Sequence, residues 1–307
     1  MPSTVPKAFD EFAVTIKPTP TQEQTITARR GRVRRFLLAE YGPDSKMPLL
    51  DVTVIGSAGR KTMIRPVEDI DVFCVFERRR VWESYRHDSK QLLYRVREAL
   101  DGYSVKTVGS RGQAVRLFYN DGILVDVTPA FRRQDFWGRD SGYIIPRGDG
   151  EWQPTDPFVH HQFMARRNEE LGNNLKPLVR KLKRWNGVHS HRLSSFHLEM
   201  LVQATFGKLG SSTSSSARFF FKHAGDYLHV KDPAGYSGDL AVALTSQQQA
   251  AIKQSFTRGL DHAQRAQQAE SDGNLSEAFR QWRMIFGDEF PPYTPPLRLN
   301  LARPRPR

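Results

Sequence analysis

The sequence is poor in cysteine and lacks any long apolar stretch. Cys74 is the single cysteine among 307 residues, which excludes a disulfide scaffold and a cysteine-ligated zinc site within one chain. No segment approaches the roughly 20 consecutive apolar residues of a membrane span. The opening residues, MPSTVPKAFDEF, lack the apolar core of a secretory signal. We therefore expect a protein of the reducing cytoplasm that does not bind a membrane.

Acidic residues are outnumbered by basic ones. Lys and Arg total 46 against 33 Asp and Glu, a formal net charge of +13 with His neutral. This balance favours an anionic partner such as nucleic acid, a nucleotide or another phosphate-rich ligand. A basic solvated surface with a basic tail (Arg303, Arg305, Arg307) is the alternative explanation. Hydrophobic residues make up 38% of the chain, enough for a sizeable core, so wholesale disorder is excluded.

The N-terminal half predicts alternating strands and helices. Residues 1–18 are expected to be irregular. A helix then begins at Thr19, where Pro20 suits the first turn and Gln22 completes a capping box, and it continues to about Tyr41. We predict strands at 52–55, 70–76, 104–108, 114–119 and 123–131 and a helix at 88–100.

After about residue 150 the pattern becomes helical. We predict helices at 158–170, 175–185, 196–206, 246–269 and 275–286, a loop at 207–216 and a proline-rich extended tail. The expected organisation is therefore two lobes, an N-terminal domain over 1–150 and a helical domain over 151–307.

Two aspartates follow a glycine-serine pair at an informative spacing. A β-branched run ends at Gly56-Ser57, and Asp69-Ile70-Asp71 opens the next apolar run. Residues two apart in a strand share one face. Two such carboxylates, about 6–7 Å apart, would repel each other if buried bare. A divalent cation removes that cost, and hard oxygen ligands favour Mg²⁺.

The glycine-serine pair supplies groups suited to phosphate. Gly56 lets the backbone approach a ligand closely, and Ser57 with neighbouring N–H groups can donate hydrogen bonds to phosphate oxygens. Asp126 lies inside a later apolar run, ILVDVTP. Together the three aspartates could hold two metal ions for phosphoryl transfer, and Asp126 could orient or deprotonate the attacking hydroxyl.

This combination resembles the polymerase-β-like nucleotidyltransferase superfamily. The sequence from Gly56 to Val72, GSAGRKTMIRPVEDIDV, is similar to that of the bacterial CD-NTases of the SMODS type. These enzymes are relatives of cyclic GMP–AMP synthase and oligoadenylate synthase. LKPLVRKLKRWN, SFHLE and WRMIFGDEFP further along the chain also resemble that family. The resemblance covers roughly residues 20–290.

The resemblance implies a bilobal α+β fold, with a mixed-sheet palm, a long N-terminal spine helix and a C-terminal helical lobe. It implies an enzyme that joins nucleoside triphosphates, ATP among them, into a cyclic oligonucleotide second messenger for anti-phage defence (CBASS). The implied cofactor is Mg²⁺, two ions, with Mn²⁺ as a substitute. A downstream effector would bind the product rather than this protein, and a regulatory protein partner is left open.

The resemblance also implies roles for individual residues. Gly56 and Ser57 contact the donor triphosphate, and Asp69, Asp71 and Asp126 ligate the metal. Lys183 and Ser195 reach the triphosphate from the helical lobe, and Phe196 lies against the donor base. Alternatives remain at the last three positions. Lys181 takes the role of Lys183 if the register shifts by two. Ser195 is only a helix N-cap, a role that Ser194 could fill equally, and Phe196 is a core residue.

Two other functions are compatible with the same fold. A template-independent polymerase that tails RNA, like poly(A) polymerase or a CCA-adding enzyme, changes only the acceptor, although no extra RNA-binding module is visible. A non-catalytic nucleic-acid-binding relative is disfavoured because Gly56-Ser57 and all three aspartates are present. The single cysteine leaves no zinc-dependent clamp for DNA of the kind found in cyclic GMP–AMP synthase.

Overall fold

A computed structural model describes residues 2–295 of the chain. Seven strands form within this range: β1 Leu49–Val54, β2 Asp69–Phe76, β3 Thr107–Arg111, β4 Ala114–Phe118, β5 Leu124–Gln134, β6 Asp140–Pro146 and β7 Trp152–Thr155. The helices are α1 Val5–Ile16, α2 Pro20–Glu40, α3 Gly56–Arg60, α4 Arg78–Tyr85, α5 Ser89–Leu100, α6 Pro157–Glu170, α7 Leu175–Val188, α8 Ser195–Thr205, α9 Thr213–His223, α10 Ser246–Ser271 and α11 Leu275–Phe286.

The strands form one mixed sheet. Its order is β1-β2-β5-β4-β3, with β6 pairing to β5 and β7 to β6. β2 and β5 are parallel, whereas the other pairs are antiparallel. Apolar side chains of α2, α4 and α5 cover one face of this sheet. We call the sheet with α2 to α5 the palm.

The start of α2 confirms the predicted capping box. The Thr19 hydroxyl accepts a hydrogen bond from the Gln22 N–H at 3.2 Å, and the Gln22 side chain accepts one from the Thr19 N–H at 2.9 Å. These bonds satisfy two backbone donors that would otherwise be unpaired at the helix end.

The expectation of an irregular segment over residues 1–18 was wrong, because α1 lies there. Val5, Ala8, Phe9, Phe12 and Ile16 are buried on one side of it, the spacing of an amphipathic helix. Their side chains join the core formed by α6 to α11. We call α1 and α6 to α11 the helical lobe. Trp185 and Trp282 lie in this core.

Several boundaries differ from the predictions. α4, α9, β6 and β7 were missed, and α9 begins inside the segment predicted as a loop, where Ser212 caps it. β3 begins three residues later than predicted. β7 extends the palm sheet beyond residue 150, so we propose that the domain boundary lies near Asp156. The basic tail (Arg303, Arg305, Arg307) lies outside the described residues.

None of the helices in residues 2–295 is long and apolar enough to cross a membrane.

Candidate active site

Three aspartates lie side by side on two parallel strands. Asp69 and Asp71 are on β2, and Asp126 is on β5, where it pairs in register with Asp71. Because side chains alternate along a strand, all three lie on one sheet face. The predicted grouping of these carboxylates therefore follows from the parallel pairing, which the sequence did not specify.

Gly56 fits closely against this group. Its φ is +62°, and a Cβ atom built on it would lie 1.8 Å from Oδ2 of Asp71. The preceding backbone is fixed there as well, since the Ile55 N–H donates to the Asp71 carbonyl at 2.9 Å. Both the backbone conformation and the lack of space require glycine. Ser57 is thereby held, partly exposed, beside the aspartates in the first turn of α3.

The electrostatics of the cluster favour a bound cation. The pKa of Asp71 is raised to about 6, first by burial and then by the neighbouring charges of Asp69 and Asp126, whereas Arg60 and Lys183 oppose the shift. A hard divalent cation would relieve this repulsion between carboxylates. Asp69 and Asp71 therefore fit a metal such as Mg²⁺.

Asp126 has a different partner. Arg116 on β4 is its cross-strand neighbour; Nε of Arg116 donates to Oδ1 at 2.6 Å and Nη2 donates to Oδ2 at 2.5 Å. Among residues 2–295, no three His, Cys, Asp or Glu side chains are grouped so that they could hold a metal ion. A third metal ligand at Asp126 stays a prediction that requires its carboxylate to leave Arg116.

Lys183 lies at the junction of the two lobes. Its Nζ is 3.0 Å from Oε1 of Glu199 on α8 and donates to the Thr62 carbonyl of the palm at 3.2 Å. Lys181 is buried elsewhere, where burial lowers its pKa to about 8 and Asp10 of α1 is the nearby carboxylate. The predicted register is therefore the one that brings Lys183 to the palm, and its contact with triphosphate stays a prediction.

Glu199 joins the lobes and was not singled out from the sequence. It is fully buried. It accepts hydrogen bonds from Nε of Arg60 at 2.6 Å and from Oγ1 of Thr62 at 2.8 Å, in addition to Lys183. Burial raises the pKa of Glu199, but Lys183 and Arg60 outweigh burial, so the net shift is downward. In the sequence, a glutamate between the apolar residues Leu198 and Met200 was the available sign of a buried carboxylate.

The two serines at the start of α8 have different roles. Ser194 is the cap, since its hydroxyl accepts from the His197 N–H at 3.2 Å, whereas Ser195 is the exposed first residue of the helix. Ser195 is therefore free of the capping role, and its hydrogen bond to triphosphate stays a prediction. His197 is buried, and its Nε2 lies 2.8 Å from the Leu228 carbonyl.

Phe196 is half-buried against the helical core. The His160 ring lies 4.6 Å from it between centroids, and the Arg60 guanidinium carbon lies 5.4 Å from its ring centre. His160 is fixed by Asp232, 2.8 Å from its Nε2. Stacking of a nucleotide base on Phe196 stays a prediction. Such a base would contact the same ring that His160 and Arg60 contact.

The N-terminal half of the chain matches a known protein family. The Second Messenger Oligonucleotide or Dinucleotide Synthetase (SMODS) domain matches residues 3–168. The chain belongs to this family. It is a bacterial CD-NTase and a nucleotidyltransferase, which confirms the resemblance drawn from the motif.

Two named synthases are similar to this chain over about three quarters of its length. A probable cyclic nucleotide synthase of Bacillus cereus is 27% identical, covering 78% of this chain and 82% of the relative. A cyclic AMP-AMP-AMP synthase of Acinetobacter is 26% identical, covering 77% and 71%.

Solved structures confirm the bilobal α+β fold. CdnC of Escherichia coli, solved in a complex with HORMA-deltaN, matches with a TM-score of 0.76 at 18% identity, over 93% of this chain and 98% of that one. The dinucleotide cyclase DncV of Vibrio cholerae, solved with GTP, matches with a TM-score of 0.74 at 14% identity, over 92% and 96%.

Proposed function

We propose that this CD-NTase is a Mg²⁺-dependent synthase of a cyclic oligonucleotide, made from nucleoside triphosphates that include ATP, in anti-phage signalling of the CBASS type. The observation that carries the proposal is the register of Asp71 with Asp126 beside Gly56-Ser57. The names of the curated relatives, cyclic nucleotide synthase and cyclic AMP-AMP-AMP synthase, support the cyclic product.

The metal ions would be held by Asp69 and Asp71, joined by Asp126 once it leaves Arg116. Bound Mg²⁺ would supply charge neutralisation for the triphosphate and would activate the attacking hydroxyl. Gly56 and Ser57 bind the donor triphosphate through the backbone turn and hydroxyl. Lys183 contributes positive charge from the helical lobe, and Phe196 orients the donor base by stacking.

Arg116 has a role of its own in this scheme. Its guanidinium is the partner of the nearly buried Asp126 carboxylate. Release of Asp126 would allow it to accept the proton of the acceptor hydroxyl or to bind metal.

Two kinds of protein partner are expected for this pathway, an effector of the product and a regulator of the synthase. An effector would bind the cyclic oligonucleotide rather than this chain. The solved complex of CdnC with HORMA-deltaN supports a search for a regulatory protein partner of this chain as well.

Product analysis tests the proposal. The protein is incubated with Mg²⁺ and the four ribonucleoside triphosphates, treated with phosphatase and examined by mass spectrometry. We expect a phosphatase-resistant species whose mass equals the sum of its nucleoside monophosphate residues. Asp69→Asn/Asp71→Asn should abolish it, whereas Asp44→Asn/Asp101→Asn, which removes two exposed carboxylates outside the site, should not.

An added RNA oligonucleotide separates the tailing alternative. Extension of that RNA, with no phosphatase-resistant product, would show that the acceptor is an RNA end and would contradict the proposal.

A further inference from the structure

A cavity of about 630 Å³ lies between the lobes, away from the aspartates. Its walls come mainly from the α1–α2 connection, from α2, from α3 with the residues that follow it, and from α7. This volume is within the range of roughly 300–1,000 Å³ that small-molecule pockets occupy. The aspartate side chains do not line it.

The charge of the wall is strongly positive. The charged residues that line the cavity are Lys17, Glu23, Arg30, Lys61, Lys176 and Arg180. Glu23 is the one carboxylate among them, and it lies 3.6 Å from Lys17. Throughout residues 2–295, no carboxylate is within salt-bridge distance of the other four cations.

Two of these cations are held close to others of the same sign. Lys176 and Arg180 are one turn apart on α7, a spacing at which like charges destabilise a helix. Nη1 of Arg180 donates to the Lys61 carbonyl at 2.8 Å, which fixes Lys61 at the same wall. Burial lowers the pKa of Lys176, and the charges of Lys61 and Arg180 lower it further.

A further donor in the wall lacks a partner. Nε of Arg30 on α2 is buried and makes no hydrogen bond. A buried donor without an acceptor is costly, and its cost is added to the repulsion among the lysines and arginines. Both costs would be relieved by one ligand that carries several negative oxygens.

We infer that this cavity is a binding site for a small phosphate-bearing polyanion, separate from the catalytic cleft. Phosphate fits because its oxygens accept several charge-assisted hydrogen bonds at once, bidentate ones from arginine among them. The cavity is a recess with walls from several segments of the chain, a shape that suits a small molecule better than a duplex. A ligand there bridges α3, which carries Ser57, to α7, which carries Lys183.

Calorimetry with inorganic tripolyphosphate tests the inference. EDTA is present, so that metal-dependent binding at the aspartates is suppressed. The unmodified protein should bind the probe, and Lys176→Gln/Arg180→Gln should bind at least about tenfold more weakly, because two charge-assisted contacts are lost. The matched control, Lys222→Gln/Lys253→Gln, removes two exposed cations from α9 and α10 and should bind normally.

Two further arms separate the sources of negative charge. A tricarboxylate should bind more weakly than tripolyphosphate; equal affinity would contradict the assignment to phosphate. A short DNA duplex that binds through Lys176 and Arg180 while tripolyphosphate does not would overturn the inference in favour of a nucleic-acid surface. Equal binding of tripolyphosphate by the Lys176→Gln/Arg180→Gln variant would overturn it too.

Two checks keep the result interpretable. Circular dichroism establishes whether the double variant folds; if it does not, Lys61→Gln, at an exposed position outside the helices, takes its place. With Mg²⁺ present, the KM for ATP should change less than about twofold in the variant, since its two residues are outside the cleft. Failure of product synthesis in the unmodified protein would leave this binding test intact.

Discussion

At the scale of residues, the Arg116–Asp126 pair controls one carboxylate of the site. Arg116→Met removes the only cation that hydrogen-bonds Asp126 among the described residues. We expect a loss of about 1–3 kcal/mol in the free energy of unfolding without metal, because a nearly buried carboxylate loses its partner. Mg²⁺ should restore part of that loss, since the freed carboxylate becomes a ligand. Thermal denaturation with and without Mg²⁺ measures this; a deficit that Mg²⁺ leaves unchanged would contradict a metal role for Asp126.

Glu199 is the second residue on which the site depends. Glu199→Gln leaves Arg60 and Lys183 buried without a counter-charge, so we expect a cost of about 3–5 kcal/mol in urea denaturation. Thr62→Val is the matched variant, which removes one neutral donor to the same carboxylate and should cost about 1 kcal/mol. A Glu199→Gln variant as stable as the unmodified protein would show that the Glu199 carboxylate does not stabilise the buried charges of Arg60 and Lys183.

At the scale of elements, α1 belongs energetically to the helical lobe. The Phe12 ring is buried and lies 5.1 Å from Phe286 between centroids. Phe12→Ala should cost about 3–5 kcal/mol through the cavity that it leaves, and Val14→Ala, at an exposed position of the same helix, should cost little. Urea denaturation of both compares them; equal stability of the two variants would show that α1 is not docked.

At the scale of the whole molecule, His161 on α6 connects the helical lobe to α3 of the palm. A Cβ atom built on Gly59 would lie 2.3 Å from its ring, so the two elements are in close contact. The pKa of His161 is lowered to about 4, mainly by burial and then by the charges of Arg60 and His160. The folded state therefore excludes a proton that the unfolded state binds below about pH 6.5.

The sign of the pH effect follows from this shift. Stability should fall as the pH decreases from about 6.5 towards 4, by about 1–2 kcal/mol between pH 7 and 5. His161→Asn should be less stable at pH 7 but should lose less on acidification. Denaturation at both pH values measures the difference, and His87→Asn, at an exposed position, is the control. The same slope in all three proteins would contradict burial of a neutral His161.

The sequence by itself determined the features that rest on neighbouring residues. Thr19 to Gln22 contain the capping box, and the Gly56 to Asp71 motif contains the turn and the first two aspartates, because these signals depend on chain-local geometry. Only the tertiary structure decided which groups those residues meet. Arg60 and Glu199 are 139 positions apart, and the cations around the cavity come from four separate segments of the chain. Their contacts arise from the packing of lobes, which no local pattern encodes.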